Sequence, residues 1–119
     1  MLNLDTHILV EALAGSLTRR EQKLLSEEPW SISAVVLWEL SKLVQLRRID
    51  LDLDSVEFAR ALSRIRVWPL DLAVARQSTR LDFRGDPADE VIAATSVVHR
   101  VPLVTRDRRI LKSAIVPLA

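Results

Sequence analysis

The 119-residue sequence contains no cysteine and only two glycines, Gly15 and Gly85. Without cysteine it can form neither disulfides nor thiolate zinc sites, and it has no cysteine nucleophile. Two isolated glycines exclude the glycine-rich loops that bind dinucleotides or nucleoside triphosphates. None of the serines lies in the glycine-flanked turn of a nucleophilic serine. Nucleotide-cofactor chemistry and acyl transfer are therefore excluded.

Long hydrophobic runs are also missing. The longest apolar run, Ala34–Trp38, is far shorter than the roughly 20 residues of a membrane span. The opening residues 1–5 are more typical of a strand than of a secretory leader. Basic and acidic residues nearly balance, 17 against 16, so bulk charge does not predict nucleic-acid binding. We expect residues 1–119 to form a single globular domain that is soluble, cytoplasmic and without a membrane partner.

Short apolar runs alternate with amphipathic segments along the chain. The pattern predicts strands at residues 2–5, 30–33, 67–70, 102–105 and 115–118. It predicts helices at residues 6–13, 18–28, 34–46, 54–65, 72–81 and 107–113, and one that begins at Pro87 and ends before Pro102. Strands that alternate with helices favour a parallel sheet covered by helices on both faces.

Acidic residues follow the predicted strands. Asp5 ends the first strand, Asp107 follows the fourth, and Asp86 and Asp89 lie at the start of the helix after Gly85. The carboxyl ends of parallel strands and the starts of the following helices share one edge of a sheet, where ligands bind. We therefore expect these carboxylates to lie close together. Each also has a structural explanation, because an aspartate at a helix start can act as a cap.

Glu39 is the fifth acid of interest, since it lies within the most apolar predicted helix and needs a partner there. Lys42, about one helical turn away, is a candidate ion-pair partner on the helix surface.

Two carboxylates about 4 Å apart repel by about 4 kcal/mol, so a cluster of them favours a bound cation. His7 and His99 lack metal-ligand spacing and are expected to be structural or on the surface. Oxygen ligands alone favour Mg²⁺ or Mn²⁺, the cations that support phosphodiester hydrolysis.

Four motifs in order carry a family resemblance: Leu4–His7, Glu39, Asp86–Asp89 with Ile92–Thr95, and Leu103–Asp107. Together they resemble the PIN-domain ribonucleases, and most closely the VapC toxins of bacterial type II toxin–antitoxin pairs. The resemblance extends over almost the whole chain. It implies a three-layer α/β/α domain with a central parallel sheet, and endoribonuclease activity that depends on Mg²⁺ or Mn²⁺.

The resemblance also implies roles for individual residues. The catalytic and metal-binding acids would be Asp5, Glu39, Asp89 and Asp107. The residues that support them would be Thr6, Asp86 and Thr105. Arg106 and Arg108 would hold the RNA backbone. Such toxins pair as homodimers, and a cognate antitoxin protein covers the acidic site.

Two alternatives stay open at this point. One is a catalytically inactive PIN-fold module that acts only by binding a protein partner. The other is a phosphatase of the haloacid dehalogenase type, which also has an aspartate after its first strand. That chemistry needs a second aspartate two residues later, where this chain has His7.

Glu90 is a departure from the toxin family, which often has arginine at this position. An extra acid there opposes RNA binding.

Overall fold

The computed structural model describes residues 1–119 and contains four strands and seven helices. The strands are β1 (Leu2–Leu4), β2 (Trp30–Ser33), β3 (Arg66–Trp68) and β4 (Leu103–Val104). The helices are α1 (Thr6–Ala14), α2 (Arg19–Glu27), α3 (Ala34–Gln45), α4 (Val56–Leu62), α5 (Leu72–Ser78), α6 (Pro87–His99) and α7 (Arg108–Leu111). None of these helices combines the length and the apolar character that crossing a membrane requires.

The four strands form one sheet in the order β3-β2-β1-β4, and every neighbouring pair is parallel. The predicted parallel sheet and the α/β/α fold are confirmed. In the register of the sheet, Leu4 of β1 lies opposite Val104 of β4. The next residues, Asp5 and Thr105, therefore leave the sheet side by side at its carboxyl edge.

The prediction of a last strand at residues 115–118 is wrong. Only Leu118 forms an isolated bridge, to Leu103. The backbone N–H groups of residues 114–116 donate instead to the side chains of Asp82 and Ser113, and Pro117 has no N–H to donate. A strand needs these groups for its ladder, so none forms here.

Several other predicted elements are shifted or shortened, among them the helices predicted at residues 54–65 and 107–113, which cover Val56–Leu62 and Arg108–Leu111. The third strand covers residues 66–68 rather than 67–70, because Pro69 cannot donate to the ladder. Helix α5 ends at Ser78 rather than at residue 81. The hydroxyls of Ser78 and Thr79 donate to the carbonyls of Ala75 and Arg76 at 2.6 and 2.7 Å. These bonds satisfy carbonyls of the last turn in place of further helix.

The core lies between the sheet and helices α1, α3 and α6, and its centre is fully buried: Leu2, Leu4, Ile8, Ile32, Val36, Leu40, Ile92 and Leu103. One polar side chain, Asn3, is buried among them and donates from Nδ2 to Ser96 Oγ at 2.9 Å and to the carbonyl of Ile92 at 3.3 Å. A buried amide needs such partners. These bonds tie α6 to β1, and they therefore fix the helix that carries Asp89 against the strand that leads to Asp5.

Truncation of the core at Leu40 is expected to lower the free energy of unfolding by about 2–5 kcal/mol, because Leu40→Ala leaves a cavity where the side chain is completely buried. Leu72→Ala is the matched control, since Leu72 is also helical but 62% exposed. Urea denaturation followed by circular dichroism measures both. Equal losses in the two variants would contradict the assigned core.

Candidate active site

Asp5 follows β1 directly and is only 5% exposed. Its Oδ1 accepts the backbone N–H of Thr6 at 2.7 Å, which caps α1. Its Oδ2 accepts the hydroxyl of Thr105 at 2.6 Å. Each carboxylate oxygen thus has a donor from a different segment, and the orientation of the carboxylate is fixed.

Glu39 lies on α3, and its Oε1 accepts a hydrogen bond from the hydroxyl of Thr6. The alternative partner, Lys42, donates instead to Gln45 at 3.2 Å. Burial raises the pKa of Glu39, and the negative charges of Asp5 and Asp86 act in the same direction, while the bond from Thr6 opposes them. Thr6 therefore connects the Asp5 segment to α3 through its backbone and its side chain.

Asp107 is the N-cap of α7, and its Oδ1 accepts the backbone N–H groups of Arg109 and Ile110 at 2.8 and 3.3 Å. Its own backbone N–H donates to the Thr105 hydroxyl at 3.0 Å. Thr105 thus donates to Asp5 and accepts from the Asp107 backbone. The capping role of Asp107 leaves its Oδ2 outside these bonds.

Asp86 occupies the N-cap position of α6, but its side chain makes no capping hydrogen bond. Its carboxylate is exposed, so the structure does not support a helix-capping role for this side chain. Asp89, one turn further along, is half-buried. Burial, the largest cause, and the negative charges of four other acids together raise the pKa of Asp89 to about 6; the four acids are Asp5, Glu39, Asp107 and Asp86. No hydrogen bond offsets these effects.

A cleft with a volume of about 320 Å³ opens where these segments meet, and its lining residues are Asp5, His7, Glu11, Asp89, Arg106 and Asp107. The structure therefore brings together three of the four predicted acids in one cleft. Glu39 does not line it, but its charge acts on Asp89 and it shares the Thr6 bridge with Asp5.

His7 and Glu11 are cleft residues that the sequence reasoning missed. His7 was expected to be structural or on the surface, and it is exposed, but at the cleft wall. The two residues are four apart on α1, which begins at the acidic edge. Residues at this spacing share one face of a helix. The signal in the sequence is therefore this four-residue spacing on the helix that starts directly after Asp5.

Arg106 is the only arginine or lysine that lines the cleft, and it is held by an acid outside it. Its Nε donates to Glu21 Oε2 at 2.8 Å and its Nη2 to Glu21 Oε1 at 2.6 Å. This bidentate salt bridge lowers the pKa of Glu21 to about 2, so both groups stay charged at neutral pH. Arg108, by contrast, does not line the cleft; it is an exposed residue at the start of α7.

The family profile described as "PIN domain" matches residues 3–115. This chain is a PIN-domain protein. The family predicted from the four motifs is therefore confirmed.

Relatives of this PIN domain include Ribonuclease VapC22 of Mycobacterium tuberculosis, which is 34% identical over 83 residues. The match covers 67% of this chain and 64% of that relative. Among solved structures, a toxin–antitoxin complex from Klebsiella pneumoniae superposes with a TM-score of 0.72 at 19% identity, covering 100% of this chain and 97% of the other. VapBC2 from Rickettsia felis, bound to a DNA fragment from the VapBC2 promoter, gives 0.70 at 20% identity, covering 100% and 98%. At these identities the two structures establish the shared fold.

The acidic cleft of this PIN domain has the donor chemistry of a site for a hard divalent cation. Its carboxylate oxygens are the ligands that Mg²⁺ and Mn²⁺ prefer, and Asp89, whose pKa is raised by burial and by neighbouring negative charges, forms no salt bridge. As the side chains stand, no group of three or more acids and histidines lies close enough to hold one metal ion. Repulsion between carboxylates opposes a closer approach until a cation compensates it.

Proposed function

We propose that this PIN domain is a metal-dependent endoribonuclease and the toxin of a VapBC-like type II toxin–antitoxin pair. The observation that carries the proposal is the cleft shared by Asp5, Asp89 and Asp107, together with the pKa of Asp89, which burial and the surrounding negative charges raise to about 6. A carboxyl group with a shifted pKa in a cleft that holds other acids is typical of a catalytic site. The name of the 34% identical relative, Ribonuclease VapC22, supports the same activity.

The proposed catalytic and metal-binding residues are Asp5, Glu39, Asp89 and Asp107, and the proposed cofactor is Mg²⁺ or Mn²⁺. When bound, such an ion activates a water molecule and neutralises the charge that develops on the phosphate. The hydroxyls of Thr6 and Thr105 hold Glu39 and Asp5 in fixed orientations. Asp86, exposed at the start of α6, adds negative charge near Asp89.

Arg106 and Arg108 are the proposed contacts to the RNA backbone. Glu21 fixes the Nε and Nη2 side of the Arg106 guanidinium, which is 45% exposed. Its Nη1 edge lies outside this ion pair. An arginine held in this way loses little side-chain entropy when it binds a phosphate. We therefore propose that Arg106 contacts the RNA through this free edge while it remains paired with Glu21.

The proposed protein partners are a cognate antitoxin and a second copy of the toxin. Structures of toxin–antitoxin complexes that share this fold support an antitoxin partner. A basic side chain of the antitoxin fits an acidic cleft, because it compensates the negative charges that, together with burial, raise the pKa of Asp89. We place the proposed activity in the cytoplasm, where RNA and antitoxin would meet the enzyme.

Cleavage of a mixed cellular RNA pool by the antitoxin-free protein tests the proposed function. We expect discrete fragments with Mg²⁺ or Mn²⁺ and none with EDTA, because the proposed reaction depends on the cation to activate water and to neutralise charge on the phosphate. Sequencing of the fragment ends identifies the target. Fragments that persist in EDTA would contradict a metal-dependent reaction. A folded protein that binds Mn²⁺ but yields no fragments would favour the inactive protein-binding module.

A further inference from the structure

The loop before α6 is tied to α7 by side chains for which the proposed mechanism has no role. Asp82 accepts hydrogen bonds from Ser113 Oγ at 2.6 Å and from the backbone N–H of Ala114 at 2.7 Å. Arg109 donates from Nη1 to the backbone carbonyl of Arg84 at 3.0 Å. We call these contacts the clasp. They join residues 82–84, just before the helix that bears Asp89, to residues 109–114, just after Asp107.

Arg109 connects the two acid-bearing segments by itself. Its backbone N–H donates to Asp107 Oδ1 at 2.8 Å, and its side chain donates to the Arg84 carbonyl on the other segment. A Cβ atom placed on Gly85 would lie 3.7 Å from Arg109 Nη1 and 3.9 Å from Asp89 Cβ. The guanidinium and Asp89 therefore both lie next to Gly85. Arg109 thus contacts Asp107 through its backbone and lies near Asp89 through its side chain.

Local capping does not fix the start of α6. Asp86 occupies the N-cap position but makes no side-chain capping bond, whereas the side chains of Asp5, Ser33 and Asp107 cap α1, α3 and α7. The first turn of α6, which contains Asp89, thus lacks the usual restraint at its start. The clasp supplies a restraint from α7 in its place.

We propose that Arg109 and Asp82 are positioning residues that set the separation between Asp89 and Asp107. This inference rests on the proposed function, since the two carboxylates are proposed metal ligands. Partners outside the ligand shell orient metal ligands, and their loss commonly costs 10- to 100-fold in metal affinity. The clasp acts on the ligands in this way, through the backbone of α6 and the start of α7.

The affinity of the metal-free protein for Mn²⁺, measured by titration calorimetry, tests the clasp. Arg109→Met keeps the length of the side chain and removes its donors, and we expect it to weaken Mn²⁺ binding by about tenfold or more. Arg109→Lys keeps one donor for the Arg84 carbonyl and is expected to recover most of the affinity. The direction is diagnostic, because loss of a cation beside an acidic cleft would by electrostatics alone strengthen Mn²⁺ binding.

Two further variants make the test specific. Ser113→Ala removes a donor to Asp82 without a change of charge and is expected to weaken Mn²⁺ binding in the same direction. Arg80→Met is the matched control, since Arg80 is an exposed arginine outside the clasp, and its Mn²⁺ affinity is expected to equal that of the wild type. Thermal denaturation of each metal-free variant shows that the titrated protein is folded.

The results separate the clasp from the proposed metal site. If the wild type binds Mn²⁺ and Arg109→Met binds it equally well or more tightly, the clasp does not position the ligands and this inference is wrong. If the wild type does not bind Mn²⁺, the proposed metal site fails, and the clasp loses its role with it. Weakened binding in folded Arg109→Met and Ser113→Ala, with recovery in Arg109→Lys, supports the inference.

Discussion

Replacement of Asp5 by asparagine is expected to lower the rate of RNA cleavage by more than about 100-fold while the fold is retained. Asp5 is almost completely buried, and both of its carboxylate oxygens are held by donors from other residues. Asparagine has the same size, and its Oδ1 can still accept the Thr6 N–H that begins α1. Asparagine lacks the negative charge that a divalent cation requires, so we expect the substitution to impair catalysis.

Initial rates of cleavage at saturating Mn²⁺ measure this prediction, with circular dichroism as the check on folding. Asp54→Asn is the matched control, because it makes the same change of charge at an exposed aspartate in the loop before α4, outside the lining of the cleft. Undiminished cleavage by folded Asp5→Asn would remove Asp5 from the site. An equal loss in Asp54→Asn would point to a non-specific effect of charge.

Replacement of Asp89 by asparagine is expected to abolish cleavage and to stabilise the metal-free protein. The Asp89 pKa of about 6, against the ordinary 3.8, means that ionisation of this carboxyl opposes folding. A difference of two pKa units corresponds to about 3 kcal/mol, and because Asp89 is half exposed to solvent we expect about 1–2 kcal/mol. The melting temperature at pH 7.5 should rise by roughly 4–8 °C.

The pH dependence of stability gives the sign of this effect. Between pH 3.8 and about 6, the folded protein keeps a proton on Asp89 that the unfolded chain has released. The free energy of unfolding of the metal-free wild type therefore falls across this window as pH rises, and the cost is complete above it. The difference between wild type and Asp89→Asn isolates the contribution of Asp89. Glu39, whose pKa is also raised, leaves a dependence of the same sign in the variant.

Denaturant unfolding from pH 4 to pH 8, in the presence of EDTA, measures the contribution of Asp89. The gap between the variant and the wild type should widen with pH and close at the acidic end. A gap that is constant with pH, or a variant less stable than the wild type at pH 7.5, would contradict the electrostatic origin of the shift. A gain in stability from loss of a catalytic group is the usual trade-off between activity and stability.

The architecture was predictable from the sequence because its signals are local. Thr18 and Glu21 form a capping box at the start of α2, Gly15 ends α1 in a left-handed conformation, and Pro87 begins α6. The segment 115–118 was not predictable in this way. It is apolar, as a strand would be, but the N–H groups of Ile115 and Val116 donate to Ser113 Oγ. The Ser113 hydroxyl is in turn bonded to Asp82, 31 positions earlier.

The roles of charged side chains in the site depended on partners distant in sequence. Arg106 is paired with Glu21, 85 positions away, and Glu39 is bonded to Thr6, 33 positions away, rather than to its helical neighbour Lys42. No local pattern specifies such pairs. They form because the fold brings α2 to the loop after β4 and α3 to the start of α1.

The sequence by itself determined the order of the first four strands and the seven helices, the parallel sheet and the edge at which Asp5, Asp89 and Asp107 gather, since hydrophobic periodicity and cap residues act over a few positions. Only the tertiary structure decided which of these charges have partners. It left the Asp86 side chain without a capping bond, placed His7 at the cleft wall, and joined the Asp89 and Asp107 segments through Arg109. Hydrogen bonds and Coulomb interactions depend on distances in space, and these exist only once the helices have packed on the sheet.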